Sequence, residues 1–433
     1  MWSSLKRESW LRNPLVSLPE ADAPIFDPAA YRLTEQEVAL TAQARELGRE
    51  RFAPRAADYD RAAKFPTENF HDLHESGLLG ICVPAEYGGL GAGYRAYSLT
   101  AAEVGRYCGA TALTWNMHVC SCLWSGPLAD QLEMDALQRG EHARRRALHY
   151  QRIVEQGAVY AQPFSEGGSA AAGAVPFATS AVREGEHWRV LGRKIFASLS
   201  GHADYYGILC TVPAEDGKLS RRNTLYLAVP ANAEGVSVEG EWDPVGMRGT
   251  VSRTLVLDNV LVDDDAMLMP AGIYHQAASR WPHMFLTLTP AYIGIAQAAC
   301  DFTVAYLRGE VPGQKGDKRR GNAVKQHNLA EMYLRLEQTK ALWFQTISEA
   351  RVDPPQDMML RAFAAQYSVM ENANELCQLA IRTCGGQSML KSLPLERLYR
   401  DSRCGSLMLP WNADICVERI GHGLLYRRGE TDD

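Results

Sequence analysis

The sequence predicts a mostly helical α+β chain with an N-terminal helical domain, a central β-barrel or sandwich and a C-terminal four-helix bundle. Three observations predict it. Apolar residues recur at helical spacing between about 31 and 155, and the stretch 111–124 is almost wholly apolar. From Gly157 the pattern breaks into short β-branched and aromatic runs at close spacing. Beyond Pro270 it returns to long apolar-periodic segments suited to a bundle. The expected divisions are an arm at 1–30, a helical domain at 31–155, a β-domain at 156–270 and the bundle at 271–433.

In chain order, Thr34 and Glu37 stand at the spacing of a capping box, which predicts a helix start. A second helix is expected over 67–76, ending at Gly77. The apolar Ile81-Cys82-Val83-Pro84 is expected to be a short strand, and 86–91 a turn-rich loop. Helix resumes near Ala96. The segment 111–124 reads as a buried helix ended by Gly126-Pro127, and 131–151 as a charged surface helix or connection. Strands are expected at 177–182, 188–196, 205–212, 224–229 and 254–262, with a hairpin turn at Glu184-Gly185-Glu186. Helices are expected at 285–307, 323–348 and 356–383. Between the first two lies 309–322, rich in Gly, Lys and Arg, for which a solvated loop and a phosphate-facing loop are both open readings.

Composition narrows the function classes. At 433 residues the chain can bury a sizeable core. A formal charge of −6 provides no basic footprint for nucleic acid. No apolar run reaches membrane-spanning length, and the first residues lack the apolar block of a signal peptide. Ten cysteines without a regular framework point to free thiols in a reducing cytoplasm. Cys108, Cys120 and Cys122 read as buried small hydrophobes, because no second pair or His cluster completes a metal site; no metal is expected.

Chemistry concentrates at 162–200. Gln162-Pro163-Phe164-Ser165-Glu166-Gly167-Gly168-Ser169 is a loop whose glycines and hydroxyls let a flat ligand approach the backbone. Gly192-Arg193-Lys194-Ile195-Phe196-Ala197-Ser198 is a strand that sets an aromatic and a hydroxyl beside it. Together with Gly77–Gly89, Gly246-Met247-Arg248-Gly249-Thr250-Val251-Ser252 and Leu395-Glu396-Arg397-Leu398-Tyr399-Arg400-Asp401, these segments resemble the acyl-CoA dehydrogenase superfamily. Five such matches in the right order cover the chain from about 34 to 423. The resemblance implies FAD bound between β-domain and bundle, with FMN or a loosely held reduced flavin as open alternatives, and assembly as a homodimer or homotetramer. Phe164, Ser165, Ser169, Phe196 and Ser198 would then line the flavin. Gly385 and Gly386 would reach the flavin of a neighbouring subunit. Without the resemblance, Phe196 is a core aromatic and Gly385-Gly386 a helix C-cap.

The same comparison exposes a departure. Oxidising the Cα–Cβ bond of an acyl thioester needs a carboxylate base. The two positions at which the family carries it fall on Leu409 and Met284. Neither takes a proton. His283, Asp414 and Glu418 are the nearby substitutes; His283 also reads as a capping or surface imidazole, and His118 as a satisfied core histidine. Glu310 stands where the family often has an arginine for the FAD diphosphate, leaving Arg308 or a basic residue of 315–320 to compensate. Three functions follow. The first is a flavoprotein oxidising an acyl-CoA or carrier-bound thioester with a non-standard base. The second is a monooxygenase of the same fold using reduced flavin and O2. The third is a silent flavin-binding homologue or partner subunit.

Overall fold

The computed structural model describes residues 23–167, 175–311, 319–427 and 430. Ser169 and residues 312–318 of the 309–322 loop lie outside them. The first helical part contains α1 (Glu35–Leu47), α2 (Ala53–Ala62), α3 (Thr67–Glu75), α4 (Tyr94–Tyr107), α5 (Gly109–Leu123) and α6 (Ala136–Gln156). The capping box forms as expected. Thr34 Oγ1 accepts from the Glu37 amide at 3.2 Å, and the Glu37 carboxylate accepts from the Thr34 amide at 2.8 Å. Helix α5 is buried nearly all round, as its composition requires.

Residues 81–84 are not a strand. They follow a 3₁₀ turn at Leu78–Gly80, and their carbonyls are taken by a local loop, with Ala92 N donating to Ile81 O at 2.8 Å and Gly91 N to Val83 O at 2.9 Å. Three apolar residues fit a buried turn as well as a strand, and here a local loop supplies the backbone partners.

The middle of the chain forms one eight-stranded sheet: β1 (Tyr160–Ala161), β2 (Ser180–Glu184), β3 (His187–Ala197), β4 (Tyr205–Thr211), β5 (Thr224–Pro230), β6 (Val236–Glu239), β7 (Arg253–Asp263) and β8 (Met267–Met269). Its order is β6-β7-β3-β2-β4-β5-β8, with β1 parallel to β4. The long antiparallel β3–β7 pair shifts register between Lys194 and Ala197, and there Phe196 takes a left-handed φ of +50°. Strands β1, β6 and β8 are too short to leave an alternating signature.

The last part holds α7 (Ile273–Arg280), a 3₁₀ segment (Pro282–Leu288), α8 (Thr289–Arg308), α9 (Ala323–Ser348), α10 (Gln356–Cys384), α11 (Leu395–Cys404) and α12 (Ala413–Leu425). Helix α8 starts at Thr289, with Pro290 in its first turn, rather than at 285. Helices α4 and α8 cross with backbones in contact: a Cβ on Gly294 would lie 2.3 Å from Ala102 O, so only glycine fits. The two terminal motifs tie the parts together. The Asp401 carboxylate accepts from Met247 N at 2.6 Å, Arg400 clamps Asp60 at 2.6 and 2.9 Å, and Arg248 Nε reaches Asp60 O at 2.8 Å.

Candidate active site

The loop and strand singled out in the sequence meet. Ile195 N donates to Ser165 O at 2.8 Å, an isolated antiparallel bridge that sets Ser165 beside the residue preceding Phe196. Phe196 is 66% exposed, with Trp242 edge-on at 6.4 Å. Ser198 Oγ pairs with Ser252 Oγ at 2.8 Å, and Ser252 with Thr250 Oγ1 at 2.7 Å. Phe196, Leu199, Met247 and Val251 around this hydroxyl chain all have positive φ. Side chains other than glycine resist that conformation, and it concentrates where a surface is shaped for a ligand. An outward-facing aromatic, a hydroxyl row and a half-buried Ser165 form one wall at the end of β3. Phe196 is thus not a core aromatic.

A buried ion pair missed in the sequence fixes this wall. Lys194 Nζ donates to Glu166 Oε1 at 2.7 Å and to Leu209 O at 2.7 Å, and lies 4.4 Å from the centre of the Phe177 ring. Glu166 accepts in addition from Ala178 N at 2.6 Å and Thr179 N at 3.0 Å. Burial opposes charge on both groups. Lys194 and the two amides nonetheless hold the Glu166 carboxyl below its ordinary range, while burial lowers the Lys194 ammonium against the pull of Glu166. The Glu of the loop motif and the Lys of the strand motif are therefore one device, separated by 28 positions.

Behind Phe164 lies a cavity of about 220 Å³. Phe164 packs against Phe177 at 5.7 Å, Tyr274 at 6.3 Å and Phe285 at 6.4 Å, all three on the cavity wall. Phe363 and Trp411, 4.4 Å apart, complete an aromatic floor. Arg221, His275 and Arg419 also line it, and no carboxylate does among the described residues. Leu409, where the family's base is expected, precedes Trp411 by two residues, and Met284 is fully buried.

The substitute bases fare no better. Asp414 is exposed in the first turn of α12, and Glu418 lines a separate groove with Arg419 and His422. His283 is neither cap nor surface residue. It is fully buried, neither ring nitrogen has a hydrogen-bond partner among the described residues, and burial lowers its pKa to about 4. His118 is the satisfied core histidine expected: Tyr160 N donates to Nδ1 at 3.0 Å, which leaves Nε2–H to donate to Leu79 O at 3.0 Å. Gly385 and Gly386 follow α10, next to Gln387, which accepts from Tyr306 at 3.0 Å. Gly385, with φ +86° and ψ −168°, occupies a region open essentially to glycine alone. Arg308, the candidate diphosphate contact, pairs with Glu310 at 2.9 Å. No group of three His, Cys, Asp or Glu suited to a metal occurs among the described residues, and all ten cysteines are free. No described helix is long and apolar enough to cross a membrane.

Three family descriptions match in succession: acyl-CoA dehydrogenase N-terminal domain over 34–129, middle domain over 165–260, and C-terminal domain over 276–409. The chain belongs to the acyl-CoA dehydrogenase family. It is a flavoprotein oxidoreductase of that family. Family relatives are chemically mixed. The putative acyl-CoA dehydrogenase YdbM of Bacillus subtilis is 29% identical over 83% of this chain and 91% of its own length. L-evernosamine nitrososynthase of a Micromonospora species is also 29% identical, over 84% of each. Among solved structures, KijD3 with FMN and a dTDP-linked amino sugar superposes with a TM-score of 0.77 at 22% identity, covering 95% of this chain and 98% of KijD3. The dibenzothiophene monooxygenase TdsC of Paenibacillus superposes at 0.73 and 20% identity, covering 89% and 97%. These two likenesses show the shared fold.

Proposed function

We propose that this enzyme is a flavin-dependent monooxygenase acting on a small molecule held in the aromatic cavity. The observation that carries the reading is the cavity wall itself. It abuts Phe164, yet no carboxylate among the described residues lines it, and the positions expected to hold the family's base are Leu409 and Met284. Dehydrogenation of a thioester requires an α-proton acceptor, whereas oxygen transfer does not. A reduced flavin supplies electrons to O2, which is the chemistry the cofactor contributes. The chain's own part is to grip the flavin edge with Phe164, Ser165, Phe196 and Ser198, to hold substrate against Phe164, and to exclude water with Phe285, Phe363 and Trp411. FAD is the flavin implied by the resemblance. Glu310, at the position where the family often carries an arginine for the diphosphate, pairs with Arg308 and so favours FMN. The likeness to the dibenzothiophene monooxygenase TdsC and to L-evernosamine nitrososynthase supports the oxygenase reading. The likeness to YdbM supports α,β-dehydrogenation of an acyl thioester, which stands second.

Anaerobic mixing of the oxidised protein with a series of acyl-CoAs, followed by flavin absorbance, separates the two. The expected result is no bleaching, with O2-dependent product once a flavin reductase is added. Bleaching by any thioester overturns the proposal. The pocket assignment has its own test: Phe196→Ala and Ser165→Ala are each expected to weaken flavin affinity roughly tenfold, the loss of one aromatic or charge-assisted contact. Equilibrium dialysis against FMN and FAD measures this, and unchanged affinity in both variants removes the assignment. Exposed Leu334, Tyr333, Leu424 and Leu425 on the bundle support a homodimer or homotetramer, to be read by light scattering. The ten free thiols support a cytoplasmic setting.

A further inference from the structure

The cavity behind Phe164 combines two features that together define a ligand. Its deep surface is aromatic and buried: Phe177, Tyr274, Phe363 and Trp411 are each 5% exposed or less. Its exposed lining is cationic. Arg221 and Arg419 lie at the surface, with His275 half-buried among the other lining residues. Arg419 has no ion-pair partner among the described residues and holds its guanidinium 5.8 Å from the Phe363 ring centre, which pre-orders it over the floor. Arg221, His275 and Arg419 line the same cavity. No acidic side chain lines the cavity among the described residues; Arg419 also borders the neighbouring groove, whose lining includes Glu418.

We propose that this cavity selects a compact organic oxyanion, a flat apolar body lying on the aromatic floor toward Phe164 with its carboxylate or phosphate held by Arg221 and Arg419. The inference rests on the oxygenase reading for the identity of the reacting site, and it names that site's substrate class. Planar guanidinium groups match carboxylate and phosphate oxygens two at a time, and the adjoining aromatic surface strengthens the contact by excluding water. An uncharged ligand of the same shape would gain only the floor.

The test is binding to the oxidised, flavin-loaded protein by isothermal titration calorimetry, with phenylacetate, phenyl phosphate and phenylacetamide as probes. Because no turnover occurs, the result stands apart from whether oxygenation or thioester oxidation follows. The expected order places at least one anion roughly tenfold or more below the amide in Kd; which anion binds tighter identifies carboxylate or phosphate as the preferred group. Arg419→Gln and Arg221→Gln are expected to bring anion affinity down toward that of the amide while leaving amide binding unchanged. Raised salt is expected to weaken the anions alone. Equal binding of anions and amide, anion binding unaltered in both variants, or no binding of any probe overturns the proposal.

Discussion

Replacing Lys194 with methionine is expected to cost about 3–5 kcal/mol of stability, because removing one member of a buried ion pair leaves the other charged and uncompensated. The Lys194 side chain is fully buried and its polar partners among the described residues are Glu166 and Leu209 O. Glu166 would keep two backbone donors, Ala178 N and Thr179 N, but lose the cation that holds it ionised. The defect is local to the loop carrying Phe164 and Ser165, so flavin should be released at lower denaturant than the global transition. Urea titration followed by flavin fluorescence and by far-UV circular dichroism measures both. The double variant Glu166→Gln/Lys194→Met keeps an acceptor for the amides and removes both charges, so it is expected to recover part of the loss. A coupling energy near zero in that double-mutant cycle would show that the pair does not hold the wall.

How much of this was legible in the sequence depends on range. The Thr34–Glu37 box spans four residues and announces itself; so do α9 at 323–348 and the long strands around Lys194, whose periodicities are sustained. Residues 81–83 are three apolar side chains, and composition cannot separate a buried turn from a strand at that length. The cavity was not legible at all. Phe164, Phe177, Tyr274, Phe285, Phe363 and Trp411 come from well-separated segments, and each alone reads as core. The flavin wall was legible only because ordered motifs outweighed the local reading of Phe196 as a strand aromatic. Its mechanism, the Glu166–Lys194 pair, was hidden by a separation of 28 positions. Nothing in the sequence distinguishes a surface His283 from a buried one with unpartnered nitrogens.

That histidine gives the second large effect. Lowering pH from 6.5 to 4 is expected to destabilise the protein, and His283→Leu is expected to remove about 3 kcal/mol of that loss. The sign follows from the depressed folded-state pKa. Burial holds His283 and His118 at about 4 and His149 at about 3, against an unfolded value near 6.5. Between those limits the unfolded chain binds more protons, so stability falls as pH drops; above 6.5 the penalty is absent, and below the folded pKa it stops growing. Asp401 works the other way. Burial raises it to about 6, so the folded state takes up its proton first and gains stability as pH falls from 6 toward 4. The comparison of His283→Leu with the parent cancels that opposing contribution. Because neither His283 nitrogen has a partner among the described residues, an apolar side chain of similar volume sacrifices no described hydrogen bond at neutral pH, whereas His118→Leu would orphan Leu79 O and Tyr160 N. Urea midpoints at pH 7.5 and 4.5 measure the effect. Parallel curves for parent and His283→Leu would refute the buried neutral imidazole. Retained turnover in the same variant is the outcome expected of an enzyme that uses no protein base; lost turnover with the fold intact would return His283 to the chemistry and restore the thioester reading.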